Sequence, residues 1–340
     1  MTARSLRFTG PRTVEVREKP VPSPADDELL VATTVSAISP GTELLVYRGE
    51  APTELPADEE IDALDGDLDF PLSYGYAAVG RVTEVGAAVD GAWRGRRVFS
   101  FNPHESHFVA SPDDVVPVPD GVSDAEAALL PNVETAVNFA LDGRPRMGEH
   151  VAVLGQGVVG LLTAAVLSEF PLASLRTADC YGRRRELSRA FGAEESVDPA
   201  HDDAVDRLRA GDPAGADLTV ELSGNPDALD QAIAATGFDG RVLVGSWYGT
   251  KRANLDLGRR FHRSRIDLIS SQVSTLDPEL RGRWSTDRRL RTAWSRLDGV
   301  DAERLVTHRV PIGDADDAYR LLDERPQDAV QVLLTYPCTR

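Results

Sequence analysis

The stretch VAVLGQGVVGLLTAAVL, residues 151–167, constrains this chain more than any other. An apolar run of strand type passes straight into three glycines, and the third opens a helix-type run of small and apolar residues. Gly155 permits the tight turn out of the strand, Gly157 lets backbone approach a pyrophosphate, and Gly160 lets the helix pack closely on the strand. The backbone N–H groups at Gln156, Val158 and Val159 then meet the ligand with the positive end of a helix dipole. The alternation continues through strand SLRTAD, helix RRRELSRAFG, strand ESVD, helix AVDRLRAG, strand DLTVELSG, helix DALDQAIAAT, strand GRVLVGS and strand IDLISS. Six strands with crossovers argue a parallel, doubly wound α/β sheet.

The glycines sit in the context that dinucleotide binding needs, because Asp179 closes the next strand 19 residues after Gly160. A carboxylate there accepts hydrogen bonds from both ribose hydroxyls and repels a 2′-phosphate, which favours NAD(H) over NADP(H). Two other readings stay open. Asp179 also fits a helix cap, and Arg183, Arg184 and Arg185 fit a 2′-phosphate. Arg184 reads either as a stacking partner for adenine or as a solvated helix residue. Ser223 and the run Gly245 to Tyr248 end further strands at the same crevice. Trp247 and Tyr248 there suit a wall for the nicotinamide or substrate, or plain packing.

At 340 residues the chain suits two domains. Its first 120 residues read as short strands with turns, such as RTVEVRE, ELLVATTVSAIS, GRVTEVG and RRVFSF. The connector SDAEAALLPNVETAVNFALD, 123–142, carries Ser123 as an N-cap and Glu126 three residues later, which predicts a capped helix. After the α/β region, the spacing predicts helices around 286–297 and 314–323 and a closing strand AVQVLLTY.

There are 55 acidic against 37 basic residues, for a net charge of −18, and Lys19 and Lys251 are the only lysines. So negative a field repels phosphate backbones and anionic lipid, excluding nucleic-acid and membrane partners and leaving a small-molecule substrate. Acidic, lysine-poor surfaces suit high salt, and the acids of TELPADEEIDALDGDLDF, 53–70, read as a solvated loop of that adaptation. No apolar run reaches membrane-spanning length and the first residues lack a signal-peptide stretch, so a cytoplasmic location is expected. Cys180 and Cys338 are the only cysteines, too few for a disulfide framework or a four-cysteine zinc lobe.

On AISPGTELLVYRGE, YGYAAVGRVTEVG, VAVLGQGVVG and RRRELSRAFGA, the chain resembles the medium-chain dehydrogenase/reductase superfamily, alcohol dehydrogenase-like, over nearly its whole length. The resemblance implies a GroES-like β-rich catalytic domain over 1–145, a Rossmann domain over 146–280 and a tail over 281–340 that returns to the catalytic domain. It implies an active site in the cleft between domains and a homodimer. Zinc-dependent members take a cysteine from a G-I-C-G-T-D motif, where this chain has Ser39 followed by Pro40, Gly41, Thr42 and Glu43. Their second ligand is the histidine of G-H-E, where this chain has Tyr76; the third falls at about Asn132. Hydroxyl, phenol and amide are poor zinc ligands beside thiolate, imidazole and carboxylate, so no zinc is expected. Within the superfamily the pattern is loosely similar to bacteriochlorophyllide dehydrogenase-like members.

The expected activity is zinc-independent, NAD(H)-dependent hydride transfer to or from a secondary alcohol or ketone, or an activated double bond. Tyr76 is the candidate acid, since charge on the substrate oxygen then needs an organic donor. Ser39 and Thr42 are relay hydroxyls, with Thr42 and Glu43 aligned with the family's relay hydroxyl and supporting acid. Tyr76 also fits a packed core aromatic, and Ser39 and Thr42 fit turn formers. A zinc enzyme with atypical ligands and a silent dinucleotide sensor are the alternatives. His104 and His107 have ligand-pair spacing, but positions three apart in an extended segment face opposite ways, so they are expected at the surface or lining a pocket.

Overall fold

The structure is a computed structural model that describes residues 2–57, 61–64, 66–209, 211 and 213–337. Two compact units make it up, Met1–Leu130 with Asp301–Arg340, and Pro131–Val300.

The chain begins with a hairpin of β1 (Thr2–Gly10) and β2 (Thr13–Pro20), then β3 (Leu29–Ala37) and a short helix α1 (Thr42–Arg48). Strands β4 (Ala78–Val85), β5 (Arg97–Ser100), β6 (His107–Ala110) and β7 (Val115–Pro117) follow. The connector holds the expected capping box, with Ser123 and Glu126 each satisfying the other's backbone N–H. It is not one helix, however: α2 (Asp124–Ala127) ends and α3 (Leu130–Gly143) restarts. Pro131 has no N–H to offer the carbonyl of Ala127, so the helical ladder breaks there.

Next come β8 (His150–Leu154), α4 (Val158–Ser168), β9 (Ser174–Ala178), α5 (Gly182–Ala190), β10 (Glu195–Val197) and α6 (Ala204–Leu208). After them stand β11 (Ala216–Glu221), α7 (Pro226–Ala235), β12 (Thr236–Val244), β13 (Asp267–Ser270) and α8 (Thr286–Leu297). The chain closes with β14 (Val306–Pro311), α9 (Ala315–Glu324) and β15 (Gln331–Thr335). Cys338 lies outside the described residues.

In the first unit, β15 and β6 pair with successive stretches of one edge of β3, and β4 pairs with the other edge. The core beneath holds Leu6, Phe8, Ile38, Leu45 and Tyr319, all buried. Fully burying a side chain such as Phe8 stabilises by about 1.5–3 kcal/mol. Leu64 and Leu68 also reach this core, so the acidic segment 53–70 is anchored by its apolar residues, while Asp67 and Asp69 are exposed. Its acids at 58–60 and 65 lie outside the described residues.

The second unit is built on a six-stranded, all-parallel sheet in the order β10-β9-β8-β11-β12-β13. Its first strand, β8, sits at the centre, and the chain winds outward to one side through β10 and to the other through β13. That is the doubly wound Rossmann order, and the direction of winding reverses between β8 and β11. Its near-continuous apolar strands are what a sheet covered on both faces requires.

Candidate functional site

The glycine turn lies at the reversal point. Gly155 follows β8 at φ +89°, and a Cβ there would lie 2.5 Å from the Ser223 nitrogen just past β11. A Cβ on Gly160 would lie 1.9 Å from the Gly155 carbonyl oxygen, so both positions exclude any larger residue. Gly157 has nothing within 4 Å of the same point, which leaves open space above the turn. Helix α4 starts at Gly157 with no side-chain cap, so the free N–H groups of its first turn, at Val158 and Val159, keep their capacity for an anion. The side chain of Val158 is buried and that of Val159 half-buried, so both would serve through backbone. The Gln156 side chain is fully buried and turns inward to the carbonyls of Val153 and Gly155.

Asp179 follows β9 and is nearly buried. One carboxylate oxygen accepts the Gln156 N–H at 2.7 Å and the other accepts the Tyr181 N–H at 2.8 Å. The second bond closes the turn that leads into α5, whose first-turn N–H groups receive no side-chain cap; each oxygen still has a lone pair for a ribose hydroxyl. The Arg184 guanidinium lies 4.8 Å over the Tyr181 ring and 3.9 Å from Asp179, so it is not a solvated helix residue. Arg185 is engaged by the Asp179 carbonyl and by Asp198, and Arg183 is exposed.

At the end of β11, Glu221 is fully buried and receives Ser223 N–H at 2.7 Å, Ser223 Oγ at 2.5 Å and Tyr248 Oη at 2.5 Å. Burial, with the Glu221 charge, pushes the Tyr248 phenol far above its ordinary range. Gly245 follows β12 and donates its N–H to the Glu221 carbonyl. Trp247 is 38% exposed, so nothing in this unit packs it away. Glu221 escaped the sequence reading; a lone acid closing an apolar strand was its one signal.

The hydroxyl residues of the first unit do come together. Tyr76 is half-buried, its ring set edge-on to Tyr74 with centroids 6.2 Å apart. Its hydroxyl donates to Ser39 Oγ at 2.5 Å, with Thr42 Oγ1 at 3.2 Å. The phenol is thus packed along its ring and polar at its tip. Glu43 stands behind this group, not within it. It is fully buried, and its carboxylate accepts Ser39 N–H at 2.7 Å, His104 Nε2 at 2.9 Å and the Tyr319 hydroxyl. Burial, then the Glu43 charge, drives the Tyr319 phenol well up.

His104 corrects the expectation of a surface histidine: it is fully buried. Its Nδ1 is 2.7 Å from Ser36 Oγ, which is 2.8 Å from the buried Tyr336 hydroxyl. The partners lie up to 300 residues apart in the chain, so no local pattern announces them. His107 faces elsewhere, 3.0 Å from Ser106 Oγ, and burial lowers its pKa. Of the positions aligned with zinc ligands, Ser39 and Tyr76 bond to each other, and Asn132 is a buried residue of α3 in the other unit. Among the described residues, no three His, Cys, Asp or Glu side chains are grouped to hold a metal ion. None of the described helices is long and apolar enough to cross a membrane.

A zinc-binding dehydrogenase family model matches residues 159–289. The D-guloside 3-dehydrogenase of Escherichia coli (strain K12) is 22% identical over 349 residues, covering 98% of this chain and 100% of that protein. A zinc-dependent alcohol dehydrogenase 2 from Streptococcus pneumonia, solved in its apo form, superposes with a TM-score of 0.81 at 19% identity, over 99% of each chain. A short chain alcohol dehydrogenase from E. coli CFT073, solved with NADH, gives 0.78 at 18% identity, over 98% of this chain and 99% of that one. These structures share its fold.

Proposed function

The chain belongs to the medium-chain dehydrogenase/reductase superfamily, alcohol dehydrogenase-like, and on that premise we propose that it is an NAD(H)-dependent oxidoreductase that works without zinc. The substrate class is a secondary alcohol or ketone, or an activated double bond. The observation that carries the zinc-free reading is the Tyr76–Ser39–Thr42 hydroxyl cluster, in which the residues aligned with two metal ligands are hydrogen-bonded to each other.

When bound, the nicotinamide supplies or takes the hydride. The open space over Gly157, the uncapped start of α4 and the Asp179 carboxylate suit the pyrophosphate and the adenosine ribose of such a cofactor. The negative charge of Asp179 favours NAD(H), and Arg184 and Arg185 are already engaged by protein groups. In the reducing direction Tyr76 Oη gives its proton to the substrate oxygen as charge develops there, and Ser39 Oγ and Thr42 Oγ1 reorient to hold the phenol oxygen. In the oxidising direction the Tyr76 phenolate, held by the Ser39 and Thr42 hydroxyls, takes the proton back. A homodimer is part of the proposal, with β13, one of the two edge strands of its sheet, as the strand that would pair.

Purified protein in molar salt should bind NADH, as read by cofactor fluorescence. It should consume NADH against a panel of ketones and activated alkenes after chelator treatment, with no stoichiometric zinc by elemental analysis. Stoichiometric zinc would overturn the metal-free reading, and absence of NADH binding would overturn the cofactor.

A further inference from the structure

Ser39 is gripped at both ends by one side chain's residue. Its N–H goes to the Glu43 carboxylate at 2.7 Å and its carbonyl accepts the Glu43 N–H at 2.9 Å. The helix that follows, α1, has no side-chain cap at its start, so this double contact joins the Val332 and Gln331 bonds to Ile38 in fixing the loop that carries the Ser39 hydroxyl. Glu43 is itself held only by donors. Among the described residues no Arg or Lys pairs with it, and His104 Nε2 and Tyr319 Oη complete its shell. A buried carboxylate in that position sits where its hydrogen-bond donors place it, because leaving one unmade is expensive.

The second arm of the cluster meets the same imidazole. Gly75, directly before Tyr76, has φ +114°, and a Cβ there would lie 2.6 Å from His104 Nε2. The ring is therefore laid against bare backbone at Gly75. On its other nitrogen it is held by Ser36, which Tyr336 backs in turn, and its own carbonyl receives the Leu6 N–H at 2.9 Å. A single imidazole touches the backbone that carries Tyr76 and, through Glu43, the backbone that carries Ser39.

We propose that His104 is the positioning residue of this unit: by holding Glu43 and bracing Gly75 it sets the distance between the Tyr76 and Ser39 hydroxyls. It touches no reacting atom. The consequence for catalysis rests on the zinc-free reading above, while the structural consequence does not. In this proposal Glu43 is the acceptor and His104 Nε2 the N–H donor of their 2.9 Å bond, so a replacement must supply an N–H at that place. His104→Gln does so, and His104→Leu does not.

The test has two arms. In hydrogen–deuterium exchange of the free protein, the amides of Ser39 and Glu43 should exchange about tenfold faster in His104→Leu, with His104→Gln close to wild type. With the carbonyl compound selected by the NADH panel, the hydride step should fall about tenfold or more in His104→Leu, with KM within about twofold, and recover in His104→Gln. A merely structural histidine would lower the melting temperature and leave the hydride step of the folded fraction unchanged, which would overturn the proposal. So would equal behaviour of the two variants. If His104→Leu does not fold, Ser36→Ala leaves the imidazole in place with one support removed, and unchanged exchange at Ser39 in that variant would count against the proposal equally. Exchange needs no substrate, so a protein that reduces no carbonyl would sink the functional reading and leave this arm decisive.

Discussion

Asp179 accepts the backbone N–H of Gln156 across 2.7 Å, which bolts the end of β9 to the glycine turn that follows β8. The carboxylate proposed for the ribose is thus also a fastening of the turn proposed for the pyrophosphate. Asp179→Ala should cost about 1–3 kcal/mol of stability as well as NADH affinity, because one buried and one part-buried N–H lose their acceptor. Asp179→Asn retains one acceptor oxygen and removes the charge. It should shift the NADH/NADPH preference toward NADPH by about tenfold, read by fluorescence titration of both cofactors beside urea unfolding.

The glycines separate binding from folding. Gly160→Ala puts a methyl into the Gly155 carbonyl and should give little folded protein. Gly157→Ala meets nothing, so its unfolding midpoint should stay near wild type, while NADH affinity falls about tenfold or more where the methyl occupies the space for the pyrophosphate. Unchanged NADH affinity in Gly157→Ala would place the phosphates elsewhere.

Removing one oxygen tests the acid. Tyr76→Phe keeps the ring edge-on to Tyr74 and deletes the donor to Ser39. Stopped-flow reduction should slow by ~10²-fold or more in the hydride step, with NADH affinity unchanged. An unaltered step would move the acid to another residue.

Acid should loosen the first unit at an identifiable place. Burial alone would raise the Asp323 carboxyl, but hydrogen bonds and charge from Arg48 at 2.5 Å and Arg12 at 2.9 Å outweigh it and hold its pKa below the ordinary value. A depressed folded pKa stabilises at pH above the unfolded value, ~3.9, and the contribution disappears as pH falls through the folded one. Asp323→Asn should therefore be about 1 kcal/mol less stable than wild type at pH 7 and indistinguishable from it at the acid end. Urea unfolding at a series of pH values reads the difference.

Salt should help. With a net charge of −18, self-repulsion is screened as ionic strength rises, so the melting temperature should climb between ~0.1 M and molar KCl. A flat or falling curve would remove the case for salt adaptation.

The nucleotide unit was legible because its signals are local. Strand, glycine turn and helix follow one another within the stretch 151–167, and each periodic segment became the element its spacing announced. The capping box at Ser123 was equally local, whereas the break before Pro131 required weighing one missing N–H against a long helical pattern. The site in the first unit was half legible. Ser39 and Tyr76 stand out by occupying motif positions with unexpected chemistry, and Thr42 by matching the relay hydroxyl. Ser36, Tyr319 and Tyr336 carry no such mark and the spacing of His104 pointed elsewhere: only the packing of segments distant in the chain gives each its partner.

The first unit is stitched from segments before and after the second, and β15 lies against β3 with Leu333 opposite Ala37. During synthesis, Glu43 and His104 leave the ribosome long before Tyr319 and Tyr336 exist. Until those last two phenols arrive, the acid behind Ser39 lacks part of its shell, whereas the six-stranded sheet between them has every strand it needs. A nascent chain would own a complete parallel sheet while the unit proposed to handle the proton still waited for its closing strand.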